Sequence, residues 1–239
     1  MLAVFLLQNL NKMTLQDLQD KIQVLYDNDT TTPDSSDDDY KTRTALINTA
    51  IDMWHKEEQW RELLTSSNDL TVPIVTVAGA SKVVLPTNYD KIAGYIRLSD
   101  GTSYKYVPQK DPATAQLYDN SPGENFFYIM GNPKDGYSAM LRPTPTISGL
   151  IVKFEYYKLP THLVVYTDIS EIPDAMFCVY YALSKLFDSD GASLKSQKAS
   201  MEMGSRLDNM VQHNVLSGWF QDTTIPDSDF TNGVRGFGY

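Results

Sequence analysis

Groups able to act as nucleophiles, bases or metal ligands are few in this chain once its thirty carboxylates are set aside. The three histidines, His55, His162 and His213, are not spaced as metal ligands, and no H-E-x-x-H pattern surrounds them, so each is expected to be structural or at the surface. A nucleophilic thiol needs an exposed, electropositive setting, whereas Cys178 lies in the apolar run "MFCVYYALSKLF" and reads as a buried cysteine. The run "DNDTTTPDSSDDD", residues 27–39, invites a calcium reading. An EF-hand loop needs glycine at its sixth position and glutamate at its twelfth; counted from Asp27 these are Thr32 and Asp38, so the run reads as a solvated loop and helix cap. No G-x-S-x-G, P-loop or G-x-G-x-x-G is present, and the glycines of "GVRGFG" follow no strand and open no helix. Glu171 and Asp174 flank Pro173 and are explained by a helix start. A hydrolase has only the abundance of Asp and Glu behind it. The expectation is a protein that is not an enzyme, with no catalytic residue, no metal and no cofactor.

Composition narrows the remaining classes. At 239 residues, with 42% hydrophobic and 21% charged residues, the chain can bury a proper core without staples. A single cysteine excludes a disulfide framework and a multi-cysteine zinc site, and fits assembly in a reducing cytoplasm. A net charge of −10 argues against gripping nucleic acid through its phosphates. It is compatible with standing near DNA without sticking to it. The apolar run Leu2–Leu7 is too short to span a bilayer and lacks a signal peptide's basic flank and cleavage site. It reads as an N-terminal arm that packs on something, and no membrane association is expected.

The elements that would position any site follow from periodicity. Thr14 caps a helix with Leu15, Leu18, Ile22 and Leu25 at helical spacing. A longer helix starts near Asp38 or Asp39, presents Ile47, Ala50, Ile51 and Trp54, and is expected to reach about Leu64. From about Leu70 to Tyr157 the period is two. "VPIVTV", "KVVLP", "KIAGYIRL", "SYKYV", "NFFYIM", "YSAML" and "GLIVKFEYY" read as strands, with turns at Asp100-Gly101 and "GNPKDG". In the last strand Leu150, Val152, Phe154 and Tyr156 share one face. Residues 108–125 hold a short helix around Ala113–Leu117. Helices return at Pro173, with Met176, Val179, Tyr180, Leu183 and Phe187 as a stripe, and again after Gly191, from Ala192 to His213, with Met203, Leu207, Met210 and Val211 inward. Neither helix pair alone can bury both its stripes. The expected fold is α+β: a helical bundle formed by the N- and C-terminal helix pairs, with an inserted antiparallel β domain and an extended C-terminal tail. The divisions are 1–68 for the arm and first helices, 69–160 for the insertion, 161–216 for the last helices and 217–239 for the tail.

The order of these elements resembles the head–tail connector (adaptor) proteins of tailed bacteriophages. The resemblance rests on "MTLQDLQDKIQ", the Trp-bearing "LINTAIDMWHKEEQW", the Pro-led "IPDAMFCVYYALSKLFD", and the Leu85-Pro86 and Pro143-Thr144-Pro145 steps before "IVKFEYYKLP". It covers most of residues 13–215, and the long insertion departs from the simplest adaptors. The resemblance implies a structural virion protein in the neck between capsid and tail, assembled in the host cytoplasm. It implies a ring, commonly of twelve copies, under the portal protein, joined by heterologous contacts. Such a ring extends the DNA channel, passes genomic DNA without sequence-specific binding, and gives other neck or tail proteins a docking surface.

In that family the C-terminal tail often docks on the portal. The ending "DFTNGVRGFGY" has matching chemistry: glycines let backbone lie close to a partner, Phe230, Phe237 and Tyr239 are anchors beside Val234, and Arg235 can pair with carboxylates. These five residues are the expected partner-binding site, for the portal or a neighbouring subunit. The alternative is a virion receptor- or carbohydrate-binding module, in which tyrosines of the 95–157 segment stack on sugars instead of packing the insertion's own core.

Overall fold

A computed structural model describes residues 12–113 and 125–221. Two compact units divide the chain: residues up to Glu58 together with those from Pro160 onward form one, and Gln59–Leu159 forms the other. Among the described residues the fold is α+β, with four helices and three small antiparallel sheets. The apolar N-terminal run, most of the helix expected around Ala113–Leu117, and the C-terminal site residues lie outside the described residues.

In the first unit, α1 spans Leu15–Asp27 and opens with a capping box. The Thr14 hydroxyl accepts from the Asp17 N–H at 3.1 Å, and the Asp17 carboxylate accepts from the Thr14 N–H at 2.9 Å. The next free N–H groups, on Leu15 and Gln16, donate to the carbonyls of Asp168 and Tyr166. The helix ends at Asn28, whose φ of 56° is the left-handed cap conformation. Leu15, Leu18 and Ile22 are buried as their spacing predicts, but Leu25 is 45% exposed. Its expected place inside is taken by Gln19 and Gln23, because this flank of α1 meets a polar partner helix.

That partner, α2, spans Asp38–Glu57 and buries Ile47, Ala50, Ile51 and Trp54. It stops before the expected Leu64, because Trp60 and Leu63 are buried in the second unit. Helix α3, Met176–Ser189, begins two residues later than Pro173-Asp174 would suggest, and the Asp174 carboxylate accepts from the Met176 N–H instead of sitting in the first turn. Burial on α3 goes almost all round, taking in Phe177, Cys178, Tyr181 and Ala182, while Met176 and Tyr180 of the expected stripe are only half-buried. The reason is position: α1, α2 and the final helix all pack against α3. The final helix, α4, spans Ser193–Gln221, eight residues beyond the expected end at His213. Ser217-Gly218 does not stop it, since one interior glycine costs only about 1 kcal/mol. The segment 217–239 therefore begins as helix, not as extended chain.

In the second unit the strands are β1 (Leu64–Ser66), β2 (Lys82–Val84), β3 (Tyr89–Ile92), β4 (Ile96–Ser99), β5 (Tyr104–Val107), β6 (Phe126–Asn132), β7 (Gly136–Arg142), β8 (Ile151–Lys153) and β9 (Glu155–Lys158). They pair as β1-β9-β3, β2-β7-β6 and β5-β4-β8, all antiparallel. Two runs that read as single strands are each shared between sheets. "KIAGYIRL" divides at Gly94, whose φ of 95° turns the chain from β3 into β4. "GLIVKFEYY" divides at Phe154, between β8 and β9. There the Ser67 hydroxyl accepts from the Phe154 N–H at 2.9 Å, and the Ser67 N–H donates back to the Phe154 carbonyl at 2.8 Å. The period of two survives the change of sheet: Val152, Phe154 and Tyr156 are all buried, with Val83, Ile92, Ile96 and Phe127 around them. "VPIVTV" forms no named strand. Pro73 cannot donate, and the run is held by an isolated antiparallel bridge between Val75 and Ile151, with the Thr76 N–H donating to the Leu150 carbonyl, the Val152 N–H to the Ile74 carbonyl and the Gly149 N–H to the Thr76 carbonyl.

Two substitutions test these joints. The Thr14 N–H, and then the Thr14 hydroxyl, hold the Asp17 carboxyl below its ordinary 3.8. A carboxylate lowered by folding stabilises above its unfolded value, and that contribution disappears as pH falls through the folded value. Asp17→Asn is therefore expected to cost about 0.5 kcal/mol at pH 7, with the gap closing in urea titrations run below about pH 4. An equal gap at both pH values would show that the carboxylate charge contributes nothing. Ser67→Ala leaves the buried Phe154 N–H without its hydroxyl acceptor and is expected to cost about 1–3 kcal/mol in urea denaturation. Unchanged stability would mean the sheets change over without this hydroxyl.

Candidate interaction surfaces

The expected partner-binding residues Phe230, Val234, Arg235, Phe237 and Tyr239 lie outside the described residues, so candidate surfaces are built from the folded units. No group of three or more His, Cys, Asp or Glu among the described residues is arranged to hold a metal ion. Burial pushes the Cys178 thiol far up, as its apolar helix setting demands, which leaves it a packed side chain without nucleophilic character. His162 is a surface residue whose Nε2 lies 2.8 Å from an Asp52 carboxylate oxygen. Beside it the Asn48 side chain bonds the Leu163 backbone in both directions, at 2.9 and 3.0 Å. Together these contacts pin the connection ahead of α3 onto α2.

That connection presents apolar side chains outward. The Asp168 carboxylate accepts from the N–H groups of Val164 and Val165, at 2.7 and 2.8 Å, which holds its carboxyl below the usual range and the loop in one shape. Val164, Val165 and Ile169 stand exposed on it. A second exposed series, Leu194, Met201 and Val215, repeats at multiples of seven residues along α4. Apolar residues held out on rigid elements serve contacts better than chemistry.

The start of the aspartate-rich loop is fixed by the ends of three helices. The Tyr26 hydroxyl bonds an Asp190 carboxylate oxygen at 2.5 Å, and its ring packs on Phe187 at 5.3 Å. The Asp190 bond is the chief reason the Tyr26 phenol is pushed up to about 12. Arg43, buried on α2, bonds Asp27 at 2.9 Å and also Gln23, with its guanidinium 5.9 Å from the Tyr26 ring centre. From Asp27 the chain then carries exposed aspartates to Asp39.

Five of the described tyrosines of the β unit fall into two groups. Tyr89 and Tyr156 are buried and Tyr137 packs against them, as side chains of the unit's own core. Tyr95 and Tyr106 are 51% and 53% exposed, with rings edge to face at 4.9 Å and 82°. One exposed edge-to-face pair is a poor platform for successive sugar rings, which stack on open parallel faces. The alternation in "SYKYV" could have flagged Tyr106, but only the β4–β5 pairing brings Tyr95 to it across the hairpin.

No helix among the described residues is long and apolar enough to cross a membrane. No curated protein matches the chain. A family model does match, that of the SU10 adaptor protein, over residues 13–223, and so runs through both units from the capped start of α1 to just past the end of α4. With a match over most of its length, the chain belongs to the SU10 adaptor protein family, a family of phage head–tail adaptors.

Proposed function

We propose that this protein is a neck adaptor that forms a ring, of twelve copies, beneath the portal. There it extends the DNA channel and offers the tail a docking surface. Family membership makes it a structural component of a phage particle and implies contact with other head and tail proteins. The observation that carries the finer reading is the extent of the family match, which takes in the helices of both chain ends and the whole β insertion. An adaptor needs contact surfaces and no active site, and the described residues offer exposed apolar series on α4 and ahead of α3. The chain's charge of −10 suits a channel wall, since acidic surfaces repel a duplex and let it slide. Assembly takes place in the host cytoplasm before the genome leaves the particle.

The C-terminal residues Phe230, Val234, Arg235, Phe237 and Tyr239 dock on the portal, with aromatic anchors and one arginine set among glycines. Removing residues 229–239 is expected to leave circular dichroism and self-association unchanged and to weaken portal binding at least tenfold, about 1.4 kcal/mol. A truncated protein that binds the portal as tightly as the full chain would sink the tail assignment. For the ring itself, electron microscopy of the protein with and without portal is expected to show closed oligomers in at least one condition. Single copies in both would sink it.

A further inference from the structure

We infer that the apolar N-terminal run, Leu2–Leu7, packs on the C-terminal half of α4 in the same copy, along Leu207, Met210, Val211 and Val215. The contact lies within one chain and holds whether or not a ring forms.

Helix α4 outruns the helix it packs on. Its 29 residues make it about 44 Å long, against about 21 Å for the 14 residues of α3. The two run antiparallel. The Ser196 hydroxyl donates to the Ser184 carbonyl, and further along Arg206 bonds Asp174, just ahead of α3, at 2.6 Å. Residues 207–221 continue as helix past that point. They stay amphipathic there: Leu207, Met210, Val211 and Val215 recur at i, i+3, i+4 and i+8, which makes one apolar side. Cover thins along it. Met210 is buried, Leu207 and Val211 are half-buried, and Val215 is 47% exposed.

The start of the chain is directed at this side. The described residues begin at Lys12. Thr14 bridges Ile169 in antiparallel register, and the Ser170 N–H donates to the Met13 carbonyl. In that register the chain, followed backward from Met13, runs beside Ser170 and Glu171 toward the start of α3. It runs away from Val164 and Val165, which lie toward the first turn of α1, where the Gln16 N–H donates to the Tyr166 carbonyl. Ser170 is four residues from Asp174, at most about 14 Å, and Asp174 is where α4 parts from α3. The six residues from Leu7 to Met13 span up to about 20 Å. Val215 stands about 14 Å beyond Arg206 along the helix axis. The run therefore reaches the apolar side of α4 on a short tether, which favours its own helix over that of another copy.

Composition agrees with the geometry. Residues 1–11 hold no charged side chain and no proline. A run so apolar and uncharged, left in water, pairs with other chains and aggregates, so it needs cover. The C-terminal half of α4 offers that cover and gains its own in return. The contact also ties the two ends of the chain together, because α4 leads into the segment that ends at Tyr239. A braced α4 sets the direction in which that ending is delivered.

The test uses the full chain with Phe5 replaced by the photo-cross-linker p-benzoylphenylalanine. Illumination is expected to join position 5 to residues 207–215 within single chains, which keep the monomer mass on a denaturing gel. As a second measurement, the double variant Phe5→Asp, Leu6→Asp is expected to speed amide hydrogen exchange in 207–215 at least tenfold while α3 exchanges as before. The reciprocal variant Val211→Asp, Val215→Asp is expected to abolish the cross-link with α3 equally protected, which separates a lost contact from a misfolded protein. Links to residues 163–169, links between chains, or no link to α4 would each overturn the inference. So would exchange in 207–215 that the Phe5 and Leu6 substitutions leave unchanged, or a rise of equal size through α3.

Discussion

A guanidinium held out of water sets the terms for the helical unit. Arg43 is only 3% exposed, and a charge so placed must be met by acceptors that stay where they are. Gln23 and Asp27, one turn apart on α1, supply them. Gln19, a turn earlier, donates to the Tyr40 carbonyl and the Thr44 hydroxyl of α2. The seam between α1 and α2 is therefore a polar ladder with one admissible register, since a slide by one turn would strand the charge. With that register set, the apolar side chains of both helices are free to pack on α3, the most completely buried helix of the unit. The ladder also fixes where α1 ends, and so where the aspartate-rich loop begins.

The β unit works under a different constraint. Among the described residues, nine short strands lie in three small sheets instead of one flat sheet, and the chain turns directly from one sheet into the next at Gly94 and Phe154. The switch at Phe154 uses Ser67, which offers both its backbone and its hydroxyl to a residue that has left one ladder and not yet joined the next. A single polar side chain thus satisfies a backbone group that would otherwise be orphaned inside the core.

How much of this could be read from the sequence depends on the range of the interaction. The capping box at Thr14, the turn at Asp100-Gly101 and the alternation through Val152, Phe154 and Tyr156 are local, and local chemistry wrote them plainly. Leu25 read as core because helical period alone cannot distinguish an apolar seam from a polar one, and the polar partner, Arg43, lies on another helix. The end of α2 and the splitting of "KIAGYIRL" were hidden for a related reason, since Trp60 and β4 are claimed by partners distant in the chain. The expected partner-binding residues of the C-terminal ending lie outside the described residues, so that reading rests on side-chain chemistry alone.

The strand that opens the insertion pairs with the strand that closes it: β1 lies antiparallel to β9, with Leu64 opposite Tyr157. For the helices this is a matter of folding order. Helices α2 and α3 must find each other across an intervening stretch that, as loose chain, would run from Gln59 to Leu159. Closing so long a loop costs about 3 kcal/mol more than closing one of a few residues. Once the β unit has formed, its two ends are already neighbours and the helices meet as though a short turn joined them. The insertion then acts as a clasp that shortens the chain, and it can lengthen or change its strands without lengthening the search that its host helices must make.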